Sequence, residues 1–269
     1  MVVFPPCKIN LGLSIVSKRF DGYHNLETCF FPVPWYDVLE VIESNTFNFV
    51  STGIAIPGSS HDNLCVKAYN LLKQDYQLPE VTIHLHKVIP TGAGLGGGSS
   101  DAAYMLRMLN DKFELNLSQD ILANYAARLG SDCAFFVYDG PMMGSGRGEI
   151  LRPVDLPLAN KFLAIVKPSV HVSTADAFAG ISPQPMNGTV EDIVTKTPLT
   201  QWRDQLKNDF ENTVFKKYPE IEQVKEKLYA MGGLYASLSG SGSAVFGLFD
   251  NQVDLQGAFP GLTTWGKIL

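Results

Sequence analysis

Along the first residues of the chain, apolar positions alternate instead of recurring every third or fourth. Ile9, Leu11, Leu13 and Ile15 step by two between Lys8 and Val16, which is the period of a strand. A polar turn from Ser17 to Gly22 follows, and strand-like residues resume from Val38 to Val50. Gly, Pro and Ser then accumulate up to His61 and mark turns. Asp62 stands where a helix cap belongs. Leu64, Ala68, Leu71 and Leu72 line one face of the helix expected over Asn63 to Gln74.

Val81, Ile83 and Leu85 alternate with Thr82, His84 and His86 and predict a half-exposed strand. A glycine-dense loop comes next, then a helix from about Ser99 to Asn110. Ser118 is placed to cap a further helix, with Ile121, Leu122, Tyr125, Ala126 and Leu129 on one face and Gly130 as its stop. Phe162 to Val166 reads as a short buried strand, and the Pro-, Thr- and Gly-rich stretch from Ile181 to Pro198 as a loop. Glu220 to Met231 predicts an amphipathic helix. Two strands near Leu234–Leu238 and Ala244–Phe249 flank a Ser/Gly turn. The fold class is therefore α+β. A boundary near residue 150 gives an N-terminal lobe (1–150) with the glycine loop and a C-terminal lobe (151–269).

Composition narrows the partners. A chain of 269 residues that is 45% hydrophobic can bury an ample core. The formal net charge of -6, with no basic run, argues against nucleic acid, so a phosphate-bearing small molecule must be captured by local geometry. No apolar run reaches the roughly 20 residues of a membrane span. Cys7, Cys29, Cys65 and Cys133 are scattered, without a zinc or disulfide pattern, and predict reduced thiols in a cytoplasmic protein. His84 and His86 share a strand face with no third ligand in view, and no metal ligand is assigned.

The most informative segment is Pro90-Thr91-Gly92-Ala93-Gly94-Leu95-Gly96-Gly97-Gly98-Ser99-Ser100, with five glycines in seven positions. Glycines let backbone amides approach a ligand closely, and a helix that opens at the serines presents unpaired amides to an anion. Gly92 to Gly97 also fits the dinucleotide pattern G-x-G-x-x-G. That pattern wants a second strand ending in an acid roughly 20 residues on, where a helix is expected here. No Gly-Lys-Ser/Thr closes the glycines, which excludes a Walker loop.

The loop resembles the phosphate loop of the GHMP kinase superfamily. Lys8-Ile9-Asn10-Leu11-Gly12-Leu13 is similar to its N-terminal motif, and Leu238-Ser239-Gly240-Ser241-Gly242-Ser243 to its C-terminal glycine turn. Arg19 to Thr28, Asp62-Asn63-Leu64 and Leu129 to Phe136 resemble one branch whose acceptors carry a cytidine diphosphate. Ser131-Asp132-Cys133-Ala134 departs from the Ala-Asp-Val-Pro usual there, and the likeness is thin from 180 to 215.

The resemblance implies a two-lobed GHMP kinase fold with the active site in the cleft between lobes, and phosphoryl transfer from ATP to a hydroxyl. It makes Asp132 the proton acceptor and Lys8 the cation beside it. Loop residues Pro90 to Ser100, with Asn63, would hold ATP, whose Mg²⁺ is carried mainly by the nucleotide phosphates. Tyr23, His24, Phe30 and Phe178 would form the base site, His24 through its backbone, and Asn10 would touch the substrate near its reacting end. A homoserine or mevalonate type of GHMP kinase, or a nucleotide-binding sensor without turnover, are the alternatives.

Overall fold

A computed structural model of the chain describes residues 1–181, 183 and 188–269. In chain order the strands are β1 (Val2–Val3), β2 (Pro6–Lys18), β3 (His24–Tyr36), β4 (Val38–Glu43), β5 (Asn48–Gly53), β6 (Val81–Lys87), β7 (Met142–Ser145), β8 (Ile150–Pro153), β9 (Phe162–Lys167), β10 (Tyr235–Leu238), β11 (Val245–Phe249) and β12 (Thr263–Ile268). The helices are α1 (Leu64–Asp75), α2 (Gly97–Lys112), α3 (Gln119–Leu129), α4 (Thr174–Phe178), α5 (Val190–Lys196), α6 (Trp202–Gln205), α7 (Glu211–Lys217), α8 (Pro219–Ala230) and α9 (Leu255–Ala258). Among the described residues no helix is long and apolar enough to cross a membrane.

The chain divides into two compact units, neither a single run of sequence. One comprises Met1–Lys8, Pro32–Thr91 and Gly96–Asp139; the other comprises Ile9–Phe31, Gly92–Leu95 and Gly140–Leu269. The mixed α+β layout leads to an expected boundary near 150; the chain last changes unit after Asp139. Local pattern shows where elements start and stop. It does not show β2, β3 and the glycine loop each running through both units.

In the first unit, one sheet has the order β1-β4-β6-β5, with β4 and β6 antiparallel and β5 and β6 parallel. The alternation in β6 holds: Val81, Ile83 and Leu85 are buried, and the same period puts Lys87 on the core side. Helices α1, α2 and α3 pack on one another. Asn63, and not Asp62, caps α1, its side chain accepting from the Cys65 amide at 2.9 Å. Asp62 belongs to a preceding 3-10 turn. Ser118 caps α3 as the sequence predicts, accepting from the Ile121 amide at 3.4 Å.

In the second unit, an antiparallel sheet has the order β10-β11-β9-β12. Ile221, Val224 and Leu228 of α8 join its core with Phe162, Val166, Leu238, Val245 and Phe249. Each such side chain contributes about 1.5–3 kcal/mol on burial. A further sheet has the order β2-β3-β7-β8.

Three of the elements that escape the pattern do so for identifiable reasons. Strand β3 holds Pro32 and Pro34, which cannot donate to a ladder and so demote the run. Strand β12 lies at the edge of its sheet and is only partly buried, leaving no clean alternation. Helix α5 falls inside the loop expected from 181 to 198, whose residues 182 and 184–187 lie outside the described residues. Thr189 caps this helix through the Asp192 amide (3.0 Å), and Val190, Ile193 and Val194 are buried at helical spacing. Seven residues among prolines and threonines are too few to stand out in sequence.

Candidate functional site

The glycine loop meets α2 at Gly96, whose φ of 68° is left-handed and whose carbonyl accepts from the Ser100 amide at 2.9 Å. The first amides of α2 have no partner within the helix and point out of its start. Ser100 Oγ, on the same turn, is buried without a hydrogen-bond partner among the described residues. A phosphate oxygen fits that donor set. Gly98 and Gly92 are exposed, Ala93, Leu95 and Pro90 are buried, and Thr91 and Ser99 lie between these limits.

Lys8 lies against this helix start. A Cβ on Gly96 would sit 3.0 Å from Lys8 Cε and from Phe136 Cζ. Lys8 Nζ is 3.2 Å from Asp132 Oδ2, with side chains 3% and 32% exposed respectively. A lysine at a strand start is ordinarily solvated, but β2 is buried from Cys7 to Ile15, and Asp132 compensates this ammonium. Asp132 is held by the turn after α3, where Cys133 N donates to Gly130 O at 3.1 Å. Buried Phe135, Phe136 and Val137 anchor the turn from the other side. Burial pushes the Cys133 thiol up to about 12, against a lowering hydrogen bond from Ser99, so it is no nucleophile.

Within the second unit, the loop's Gly92–Leu95 is tied to the C-terminal glycine turn. Ser239 Oγ donates to Gly94 O at 2.9 Å, and the Ala244 amide to Ala93 O at 3.0 Å. The His171 ring edge occupies the space a Cβ on Gly92 would need. Asn10 donates through Nδ2 to Thr28 Oγ1 at 3.0 Å, and the place of a Cβ on Gly240 is 3.4 Å from Asn10 Oδ1.

The expected aromatic residues are partly assembled. His24 stacks on Phe178 with centroids 5.0 Å apart and planes at 20°. Phe210 meets the Phe178 ring edge-on at 4.8 Å. Tyr23 is exposed, with the Arg147 guanidinium 4.9 Å from its ring centroid. Phe30 is buried, its ring against Gly144 of β7. The Asn63 side chain is engaged in capping α1. His84 pairs with Glu40 (3.1 Å) and His86 with Thr52 (2.9 Å), and no group of three or more His, Cys, Asp or Glu that could hold a metal occurs among the described residues.

Sequence reasoning missed Asn208, Asp209 and Glu211, in the region of thin likeness. Asn208 Nδ2 donates to Leu238 O and Gly240 O, both at 2.8 Å, gripping the C-terminal glycine turn. Glu211 Oε1 accepts from Ser237 Oγ (3.0 Å) and the Leu238 amide (2.9 Å), while Oε2 is 2.6 Å from Lys225 Nζ. Asp209 accepts from the Ile15 amide of β2 at 2.6 Å. The only signal was polar residues set around a single phenylalanine, Asn208-Asp209-Phe210-Glu211. Asn208→Ala leaves two buried carbonyls without their donor and is expected to lower stability by about 2 kcal/mol, read from urea unfolding. An unchanged midpoint would contradict the grip.

Known proteins resemble the chain along almost its whole length. The family described as GHMP kinases N terminal domain matches residues 63–140, and GHMP kinases C terminal matches 196–266. A 4-diphosphocytidyl-2-C-methyl-D-erythritol kinase of Bacteroides fragilis is 50% identical over 268 residues, covering 96% of this chain and 97% of its own. The protein of that name from Cytophaga hutchinsonii is 49% identical, covering 94% and 93%. A crystal structure of 4-(cytidine 5'-diphospho)-2C-methyl-D-erythritol kinase superposes with a TM-score of 0.83 at 30% identity, covering 99% of this chain and 98% of its own. Such identity runs along almost the whole length of both chains and is joined to the two GHMP domains. The chain therefore belongs to the 4-diphosphocytidyl-2-C-methyl-D-erythritol kinases, small-molecule kinases of the GHMP type.

Proposed function

We infer that the chain transfers the γ-phosphoryl group of ATP to the 2-hydroxyl of 4-diphosphocytidyl-2-C-methyl-D-erythritol, in the methylerythritol phosphate route to isoprenoid precursors. The observation that carries this reading is the Lys8–Asp132 pair at 3.2 Å, its lysine set against the helix start that ends the glycine loop. Asp132 takes the hydroxyl proton as the substrate oxygen bonds to the γ-phosphorus and the bond to the β,γ-bridging oxygen breaks, releasing ADP. The Lys8 ammonium, 3.2 Å from the carboxylate, holds it in place and offsets charge gathering on the transferred group. Such a transfer requires position and charge more than covalent help from the protein.

Amides of the glycine loop and the Ser99 and Ser100 hydroxyls receive the ATP phosphates. Mg²⁺ bound with the nucleotide would supply charge neutralisation, and no protein ligand is assigned to it. Tyr23, Phe178 and the buried Phe30 serve the cytosine ring. The His24 imidazole already lies on Phe178, which leaves its backbone for the ring edge. Asn10, two residues from Lys8 on β2, serves the reacting end of the substrate.

The test compares the cytidine substrate, homoserine and mevalonate as acceptors in a coupled assay of ADP release, with Tyr23→Ala beside the wild type. Loss of one stacking face is expected to raise KM for the cytidine substrate about tenfold, with kcat little changed. Turnover of homoserine or mevalonate alone would overturn the substrate. ADP release with none of the three would favour a sensor.

A further inference from the structure

We propose that a buried cluster of Asp37, Lys87 and Asp101 positions the start of α2, and that the charge on Asp101 tunes how tightly the glycine loop holds nucleotide phosphates. The inference rests on the proposed ATP site, but it concerns residues that touch no substrate there.

The cluster follows from strand periodicity. Lys87 ends the buried face of β6 after Val81, Ile83 and Leu85, so its ammonium enters the core. Asp37, between β3 and β4, and Asp101, one turn into α2, both reach Lys87 Nζ, the second at 2.8 Å. All three side chains are almost completely buried. The Lys87 ammonium lies 2.8 Å from where a Cβ on Gly97 would be, so it is pressed against the first residue of α2. Glycine at 97 is what admits that approach.

The two carboxylates are unequally served. Asp37 Oδ1 accepts from the Val88 and Ile89 amides at 2.6 and 2.8 Å, and its Oδ2 accepts from Lys87. Asp101 Oδ2 accepts from Lys87 and its carboxyl meets that of Asp37, while its Oδ1 is buried without a hydrogen-bond partner among the described residues. With both acids ionised the cluster carries one uncompensated negative charge beneath a helix start that should receive phosphates. Burial pushes Asp101 up to about 7, against the Lys87 charge and reinforced by Asp37. That direction agrees with the hydrogen bonding, because an acid with an unserved oxygen loses least on protonation.

The neighbouring thiols contribute no further charge, and the Lys8 ammonium beside Cys7 is paired with Asp132. Cys65 of α1 and Cys7 of β2 face the cluster, and burial pushes both thiols up, so they stay neutral. Attraction to Asp101 and Asp37 outweighs burial at Lys87 and raises it, so it stays charged. The charge that changes near neutrality is therefore on Asp101. Protonated, the cluster is neutral and the helix start keeps its full attraction for phosphate; ionised, it opposes the incoming anion.

The experiment measures MgATP dissociation constants by calorimetry between pH 6 and 8.5 for the wild type, Asp101→Asn and Asp37→Asn. Asparagine at 101 keeps the shape and one acceptor for Lys87, and any titration of the nucleotide is common to all three proteins. Relative to Asp101→Asn, wild-type affinity is expected to fall about tenfold across this range, with proton uptake on binding near pH 7.5. Asp37→Asn leaves a neutral pair at 87 and 101, so its pH dependence moves to lower pH. Parallel profiles for the wild type and Asp101→Asn would overturn the proposal, even if both lost stability to the same extent. An absence of MgATP binding by the wild type at every pH would sink the nucleotide site itself, and this inference with it.

Discussion

Asp132→Asn is expected to lower kcat by about three orders of magnitude while KM for both substrates stays within a few-fold. Asparagine has the shape of aspartate, so the turn after α3 and its Cys133–Gly130 hydrogen bond survive. What disappears is the acceptor for the hydroxyl proton and the negative charge opposite Lys8, 3.2 Å away. The amide oxygen still accepts from the ammonium. Because the Asp132 side chain is 32% exposed, water screens the altered pair, and the stability loss should stay near ~1 kcal/mol. Stopped-flow phosphoryl transfer under single-turnover conditions separates chemistry from product release. A variant with more than a tenth of the wild-type rate would remove Asp132 from the chemistry.

The largest loss of stability is expected at Gly94, not at the more exposed glycines of the same loop. A Cβ there would stand 1.9 Å from Ser239 O and 3.1 Å from the Gly242 amide nitrogen, and both neighbours are backbone. Its φ of 76° is also left-handed, costing about 1–2 kcal/mol for alanine before any clash. To admit a methyl group, the loop and the C-terminal glycine turn must part, breaking the Ser239–Gly94 bond and straining the Ala244–Ala93 bond. Gly94→Ala should therefore lose roughly 4 kcal/mol or more in urea unfolding. Gly98→Ala is the internal control. Only Leu64 Cδ1, at 4.0 Å, comes near its Cβ, so alanine in this helical position should gain about 0.5 kcal/mol. Equal midpoints for the two variants would contradict the account of the loop.

The chemistry was more legible in the sequence than the framework that holds it. The alternation of Val81, Ile83 and Leu85, the Ser118 cap and the glycine run before α2 are local signals, and each became the element they predict. The resemblance put Lys8 and Asp132 into one hypothesis, and the fold brings them together across 124 positions of chain. Other features depend on distant partners. The period that marked β6 already places Lys87 in the core, yet a buried lysine is credible only once Asp37 and Asp101 are seen, 50 and 14 residues away. Asn208 is one polar residue among many until its carbonyl partners, 30 and 32 residues later, come into reach. Prolines hid β3, and the brevity of α5 hid a helix within an expected loop.

The most direct test of the central claim is the site of phosphorylation on the product. Wild-type protein, ATP, Mg²⁺ and 4-diphosphocytidyl-2-C-methyl-D-erythritol labelled with ¹³C at carbon 2 would be followed together by phosphorus and carbon NMR. The account predicts stoichiometric ADP and a new phosphomonoester whose phosphorus couples to the labelled carbon. ADP formation without that coupling, or no ADP at all, would contradict it.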